Sequence, residues 1–193
     1  MSALAAPVTL VTCYDDQGVP RGLTASAVAF LSLDPPLFLV CLDRRSRTHD
    51  ALTGAAAFTV HLLAPGDEHL VGSFTRSAEE RFEGMALVPD PHPAPVLRDA
   101  ALTLRCLRHD LLEGGNHTIL VGRVTGVDGE PARAGGLLWH RRGFAHARRP
   151  CPRRAPAGPP PAAGGGPRSP RQARHHPVNR SVLMCGHRVS LTV

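Results

Sequence analysis

The chain has 193 residues, of which 42% are hydrophobic and 20% charged, and its formal net charge is +6. This length allows one domain with a full hydrophobic core and is short for two domains. No apolar run reaches the roughly 18 residues of a membrane span, and the first residues lack the pattern of a secretory signal. We therefore expect a soluble, cytoplasmic protein without a membrane partner.

The positive charge is concentrated in the last part of the chain. Residues 1–148 contain 14 Arg and 16 acidic residues, whereas residues 149–193 contain 8 Arg and no acidic residue. This basic segment lacks interleaved aromatic residues and any recognition module, so we expect no nucleic-acid partner and keep nucleic-acid binding only as a weak alternative. The five cysteines are scattered and form no C-x-x-C pair, which indicates neither a disulfide framework nor a metal site.

Short apolar stretches separated by turn residues predict a mainly β chain with short peripheral helices, arranged as a β-barrel. We expect the first three strands, which lie on either side of Asp34-Pro35-Pro36, to form an antiparallel meander. The predicted strands are 7–14, 23–32, 37–42, 57–63, two long strands within 101–130 divided at Gly114-Gly115-Asn116, and 137–140. The predicted helices are one from a Ser46 N-cap to Gly54 and one or two within 67–84.

The composition divides the chain into a domain at 1–148 and a tail at 149–193. From Pro150 to about Pro177 the sequence is rich in Pro, Gly, Ala and Arg and has almost no branched apolar residue. Such a segment buries too little surface to offset its ordering entropy, so we predict disorder there. Two origins remain open, a genuine basic arm or a frameshifted extension, and residues 178–193 could include a strand.

Small residues open the segment 22-GLTASAVAFLSLDPPLFLVCLD-43. Thr24, Ala25, Ser26 and Ala27 stand where a core strand normally has branched or aromatic side chains. They leave space beside backbone amides and hydroxyls, which suits a flat ligand with a polar edge. A tight bend or close strand packing would give the same pattern.

A second candidate site follows the third predicted strand in 43-DRRSRTHDAL-52. Hydroxyl and guanidinium groups from Arg44 to Thr48 stand at a predicted helix start, which favours a phosphate. The alternative is a capping serine with solvated arginines. Because this loop and the small-residue segment flank the same short strand, the two together suggest a planar ring and a phosphate, as in flavin mononucleotide (FMN).

Several separated motifs, in this order and spacing, resemble the short-chain flavin reductase family, whose domain is an FMN-binding split β-barrel. The resemblance covers about residues 7–144. The motifs are 22-GLTASAVAFLSLDPPLFLVCLDRRSRTHDAL-52, 81-RFEG-84, 95-PVL-97, 114-GGNHTILVGRV-124 and 137-LLWHRRGF-144.

The resemblance implies which residues contact the cofactors. It places small side chains around the isoalloxazine, a strand end beside it, a phosphate-binding loop, and two histidines near the ring and the nicotinamide. Asn116 replaces the family's usual Asp, which removes a carboxylate that could orient the next residue. The implied residues are Thr24, Ala25, Ser26 and Ala27 for the ring, Cys41, Leu42 and Asp43 for the strand end, Ser46, Arg47 and Thr48 for the phosphate, and His117 and His140 as the catalytic histidines.

The resemblance also implies the reaction. NADH or NADPH would reduce FMN or FAD by hydride transfer, and the protein would act as a homodimer that supplies reduced flavin to a monooxygenase. The alternative is an FMN-binding split-barrel oxidoreductase, or a binding module, with a different substrate. Hydride transfer needs no catalytic acid or base, which agrees with the lack of a hydrolytic motif.

Overall fold

The computed structural model describes residues 3–77, 80–89, 91–98, 100–129 and 136–147, and the backbone of 181–184 and 187–190. The chain divides into two units, Met1–Arg149 and Pro150–Val193. Within the described ranges, no helix has both the length and the apolar character needed to span a bilayer.

The first unit contains ten strands and three short helices in its described part. The helices are α1 (His49–Gly54), α2 (Glu68–Ser73) and a 3-10 turn at Glu80–Phe82. The strands are β1 (Ala6–Pro7), β2 (Thr9–Tyr14), β3 (Pro20–Ala25), β4 (Val28–Leu33), β5 (Pro36–Asp43), β6 (Ala57–Leu62), β7 (Leu102–Gly114), β8 (His117–Gly129), β9 (Leu137–His140) and β10 (Gly143–His146).

Seven antiparallel strands form the main sheet in the order β3-β2-β6-β7-β8-β5-β4. This arrangement is the predicted split β-barrel with short peripheral helices, so the predicted fold class is confirmed. The predicted long hairpin is also present, with β7 and β8 joined across Gly115 and Asn116.

The predicted strand at 23–32 is wrong, because this stretch contains two strands that end and begin on either side of Ser26 and Ala27. β3 pairs with β2, whereas β4 pairs with β5, so the predicted three-strand meander does not form. The small residues allow the chain to leave one edge of the sheet and enter the other. β3 and β4, which are consecutive in the chain, therefore lie at opposite ends of the strand order.

The barrel core draws side chains from nearly every strand of the sheet. Val11, Phe38, Phe58 and Leu120 are all buried within one apolar cluster, and Leu52 of α1 joins them, so this helix covers part of the core. Gly122 is required where the Phe58 ring crosses β8, because a Cβ at Gly122 would lie 2.3 Å from Cζ of Phe58.

A second apolar cluster lies between α2 and a small three-stranded sheet of order β1-β9-β10. Leu137 is buried there, and its backbone N–H and C=O bond to Leu63 and Val8 respectively. These two bonds attach the start of β9 to the main sheet. Val8 divides the predicted strand 7–14, because its backbone bonds to Leu63 and Leu137 between β1 and β2.

A polar network is buried between β2, β6 and β7. Thr12 donates its hydroxyl proton to the carbonyl of Pro95 at 2.8 Å, and its Oγ1 lies 3.2 Å from Nε2 of His61. Nδ1 of the same ring lies 3.2 Å from Oγ1 of Thr103. Burial lowers the pKa of His61 to about 3, so this histidine is a neutral structural residue.

The second unit has two described strands, β11 (Ser181–Met184) and β12 (His187–Ser190), which pair antiparallel. A strand within 178–193 was one of the alternatives that the sequence left open. The predicted disorder between Pro150 and Pro177 lies outside the described residues.

Candidate functional site

The small-residue segment joins β3 to β4 and approaches the end of β5. Ala25 packs in the core, while Thr24, Ser26 and Ala27 are exposed. The carbonyl of Ala25 accepts the hydroxyl proton of Thr9 at 2.7 Å, and the carbonyl of Ala27 accepts the backbone N–H of Cys41 at 2.9 Å. The structure thus brings two of the predicted segments, 24–27 and 41–43, into direct contact.

The last residues of β5 alternate between the core and the outer surface of the barrel. Leu42 points into the core and is 1% exposed, so it can contribute only its backbone to a ligand on the outer surface. Cys41 and Asp43 are half-buried on the opposite face. Hydrogen bonds from the Arg45 side chain and backbone lower the pKa of Asp43 to about 2, so its carboxylate is ionised at neutral pH.

His117 lies beside Asp43 on the neighbouring strand, because these two residues are Cα partners in the β5–β8 ladder. Its Nδ1 is 2.8 Å from Oδ1 of Asn116. The amide oxygen accepts a hydrogen bond from Nδ1–H, as a carboxylate would, but it carries no charge. The replacement at Asn116 therefore removes the charge and retains an acceptor that orients the imidazole.

The loop between β5 and α1 is a tight turn whose hydrogen bonds differ from the predicted Ser46 cap. The helix begins at His49 with Thr48 as its N-cap, and neither Thr48 nor Ser46 caps it with a side chain. Instead, Oγ of Ser46 accepts the backbone N–H of Thr48 at 3.3 Å. The prediction is wrong because the serine hydroxyl forms a bond within the turn before the helix starts.

The arginines of this loop differ in their partners. Arg44 pairs with Glu113 at 3.1 Å, and Arg45 pairs with Asp43 at 2.9 Å. Arg47 is exposed, and among the described residues its guanidinium has no carboxylate within salt-bridge distance. Of these three arginines, Arg47 is the one best suited to bind an added anion.

Arg81 belongs to the candidate site, although its position in the motif 81-RFEG-84 predicts no role for it. Its Nη1 donates to the carbonyl of Gly22 at 2.8 Å and to Oγ1 of Thr48 at 3.0 Å. Thr48 is buried, and its hydroxyl donates to the same carbonyl at 3.3 Å. The one available signal was the cationic residue at the start of 81-RFEG-84, but its contact with a loop 33 residues earlier depends on the fold.

His140 lies apart from this cluster in the contacts that the structure describes. It ends β9 and is paired with Gly143 across a hairpin whose turn residues, Arg141 and Arg142, have φ of 50° and 64°. Two non-glycine residues in the left-handed region are uncommon, and the sequence carries no Asn-Gly signal for such a turn. The strand β10 was missed for this reason.

Three other histidines and two cysteines have structural surroundings. His61 is buried in its threonine network, His69 is exposed with Nδ1 3.0 Å from the carbonyl of Gly66, and Nε2 of His92 lies 3.2 Å from the carbonyl of Phe58. Burial raises the pKa of Cys13 and Cys106 to about 12, so both thiols are unreactive. In the part of the chain described, no three His, Cys, Asp or Glu side chains are grouped for a metal.

The cluster suits an aromatic phosphate ester. Ser46, Arg47 and Arg81 provide hydroxyl and guanidinium donors at one end, which matches the donor set that phosphate requires. The predicted phosphate contact of the Thr48 side chain does not form, because its buried hydroxyl already donates to the carbonyl of Gly22. The exposed backbone at 24–27 and the outer face of β5 form the other end. Cys41 is in register with Ile119, which is in register with Leu112, giving an apolar row beside that backbone.

Comparison with known proteins agrees with this arrangement. Residues 1–148 match the model of the flavin reductase like domain. An NADH:riboflavin 5'-phosphate oxidoreductase of Streptomyces pristinaespiralis is 36% identical over 75% of this chain and 82% of its own length. The solved NADH:FAD oxidoreductase of Streptomyces globisporus C-1027 superposes with a TM-score of 0.68 at 32% identity, over 75% of this chain and 87% of that one.

Two relatives from Rhizobium meliloti (strain 1021) are longer than the matched region. A probable flavin reductase is 36% identical over 74% of this chain but only 45% of its own length. A stachydrine N-demethylase reductase subunit is 33% identical over 74% of this chain and 61% of its own length. The matched region accounts for about half of those proteins. Because the family model covers more than half of this chain, the chain belongs to the flavin reductase like domain family.

Proposed function

We propose that the protein is an NADH-dependent flavin reductase that transfers a hydride from the nicotinamide to FMN or FAD. The observation that carries this proposal is the convergence of the small-residue segment, the end of β5 and the arginine loop around one outer surface of the barrel. Family membership and the activities named for similar proteins support it. NADPH remains the alternative donor to be compared.

The flavin ring would lie against the backbone of Thr24 to Ala27 and the outer face of Cys41 and Asp43. Bound flavin supplies the hydride-accepting ring, so the protein's task is to hold that ring with one face open. Ser46, Arg47 and Arg81 would hold the phosphate, and the Thr48 hydroxyl would position Arg81. His117 would lie at the ring and His140 on the nicotinamide side, and each would position a cofactor without transferring the hydride.

A purified sample tests the assignment directly. We expect a flavin spectrum, or rapid oxidation of NADH when FMN or FAD is added separately, and slower oxidation of NADPH. Flavin binding without reduction by either nucleotide would support the alternative of a split-barrel protein with another substrate. The absence of both flavin binding and flavin reduction would refute the proposal.

The protein would act as a homodimer formed through exposed apolar side chains. Phe30, Leu31 and Leu33 of the edge strand β4 are 44%, 52% and 46% exposed, and Leu111 and Leu112 of β7 are 39% and 47% exposed. Exposed edges with large apolar residues are typical of surfaces that pair with another chain. Replacing Leu31 and Leu33 by Glu should convert a dimer to a monomer in sedimentation at micromolar concentration, whereas a monomeric wild type would contradict the proposal.

The reduced flavin would be delivered to a monooxygenase component in the cytoplasm. Similar proteins named as reductase components of monooxygenases support a partner of this class. Domain 1–148 would contain the activity, and the tail from residue 149 would be dispensable for it. Deleting 150–193 should leave the melting temperature and NADH oxidation nearly unchanged. If the deletion abolished folding or flavin binding, the domain would extend beyond residue 148.

A further inference from the structure

His49 begins α1, and hydrogen bonds fix both nitrogens of its ring. Nδ1 lies 2.9 Å from Oδ1 of Asp50, and Nε2 lies 2.9 Å from Oγ1 of Thr118. The side chain is 14% exposed, and the carboxylate of Asp50 can only accept. Nδ1 therefore donates to Asp50, and Nε2 is hydrogen-bonded to the hydroxyl of Thr118. The imidazole is held in one orientation between the helix and β8.

The backbone of His49 belongs to the phosphate loop. Its N–H donates to the carbonyl of Ser46 at 3.0 Å. The preceding residue, Thr48, contacts Gly22 and Arg81 through its hydroxyl. A change in the turn at Ser46 would therefore move the start of α1 and the ring of His49 together.

Thr118 connects this ring to the other end of the site. It follows His117 in β8, so the two side chains point to opposite faces of the strand. Thr118 is in register with Leu42 on the core side, and His117 is in register with Asp43 on the outer side. Because a strand is stiff, displacement of Thr118 also displaces the imidazole of His117.

We propose that His49 is a positioning residue. Through Thr118, it couples phosphate binding at the Ser46–Thr48 loop to the placement of His117 beside the flavin ring. This inference rests on the proposed flavin site. Two sites that bias one packed element must influence each other's affinities reciprocally. An anion held by the loop would then tighten the binding of the ring, even when ring and anion are separate molecules. A residue that only anchors α1 would change stability without producing this linkage.

The test uses the full-length protein with riboflavin, which lacks the phosphate, and inorganic phosphate as a separate ligand. Riboflavin affinity is measured by fluorescence titration with and without phosphate at constant ionic strength. We expect phosphate to tighten riboflavin binding at least about fivefold in the wild type. His49→Ala and Thr118→Val should lose this effect, and Thr118→Ser, which keeps the hydroxyl, should retain it. His69→Ala, a histidine in α2, is the matched control, and melting curves check folding.

The linkage between phosphate and riboflavin binding either supports or overturns the proposed coupling. Loss of linkage in Thr118→Val with retention in Thr118→Ser and His69→Ala supports the coupling. Linkage retained by a folded Thr118→Val, lost by Thr118→Ser, or absent in the wild type overturns it. Tighter wild-type binding of FMN than of riboflavin would still support the proposed flavin site in those cases. Equal binding of FMN and riboflavin, or no flavin binding at all, would instead overturn the phosphate assignment and this inference with it.

Discussion

Arg81 and Thr48 are joined by a 3.0 Å hydrogen bond from the guanidinium Nη1 to the threonine hydroxyl, although 33 positions separate them in the chain. Thr48 is 2% exposed, whereas Arg81 is only half-buried. Nε of Arg81 donates to the carbonyl of Arg76 at 3.3 Å, which fixes the guanidinium plane and leaves Nη2 for a ligand at the loop. The pair therefore forms the protein side of the proposed phosphate site.

We expect Arg81→Gln to weaken FMN binding about tenfold or more, because a hydrogen bond to a charged group contributes roughly 1.5–3 kcal/mol. Riboflavin binding should change much less, since riboflavin has no phosphate. Both dissociation constants can be measured by fluorescence quenching. Arg76→Gln, which replaces an exposed arginine on the same connecting segment, is the control, and an equal loss for both ligands would argue against a phosphate role for Arg81.

Replacing Ser46 by Ala and Arg47 by Glu together should have a larger effect on FMN than the Arg81 change. The double variant removes a hydroxyl and reverses the charge of the loop arginine that has no carboxylate partner among the described residues. A carboxylate close to the phosphate repels it. The FMN-to-riboflavin affinity ratio is the quantity to measure, and an unchanged ratio would place the phosphate elsewhere.

Protonation of His61 should make the fold sensitive to mild acid. Its pKa is about 3 in the folded protein and near 6.5 in the unfolded chain, so the unfolded state binds more protons below pH 6.5. The contribution is fully present above that pH and is lost as the pH falls toward 3. Between pH 7 and pH 5 the loss is about 2 kcal/mol.

Urea unfolding at these two pH values measures the effect. His61→Gln keeps a polar side chain that does not titrate, so the pH dependence of its unfolding free energy should be smaller than that of the wild type by this amount. The comparison is within each protein, so the lower absolute stability expected for the variant does not interfere. Identical pH dependence in both proteins would mean that the imidazole is reachable by protons in the folded state.

A substitution at Thr59 should stabilise the fold. Among the described residues, its Oγ1 is the buried side-chain oxygen or nitrogen without a hydrogen-bond partner. Thr59→Val replaces this hydroxyl by a methyl group of similar size, so stability should rise by on the order of 1 kcal/mol. Chemical denaturation measures the change. A destabilised variant would indicate that a bound water satisfies the hydroxyl.

Much of the barrel could be predicted because its signals are local. The Gly114-Gly115-Asn116 sequence indicated the long hairpin, and β6 could be recognised from its apolar run. The break between β3 and β4 could not be predicted from periodicity, because the apolar pattern continues through it. That break depends on which neighbouring strand each half contacts.

The candidate site shows the same division. The ring segment and the arginine loop stood out because unusual residue types occur in short stretches, and the structure brings both stretches to β5. Arg81 and the His49–Thr118 contact depend on pairing across long chain separations. The Ser46 cap was predicted wrongly because hydroxyls in helix caps and in tight turns have the same sequence pattern.

The two outermost strands of the sheet, β3 and β4, are joined by Ser26 and Ala27, and no ladder of backbone hydrogen bonds is formed between them. The barrel thus has a seam, and the proposed ring-binding backbone lies along it. A ligand bound there would stabilise the seam against local opening. Without ligand, the protein should open locally along the seam before it unfolds elsewhere. Amide exchange at Leu23 to Val28 would then slow on flavin binding, while exchange in the middle of β6 would keep its own rate.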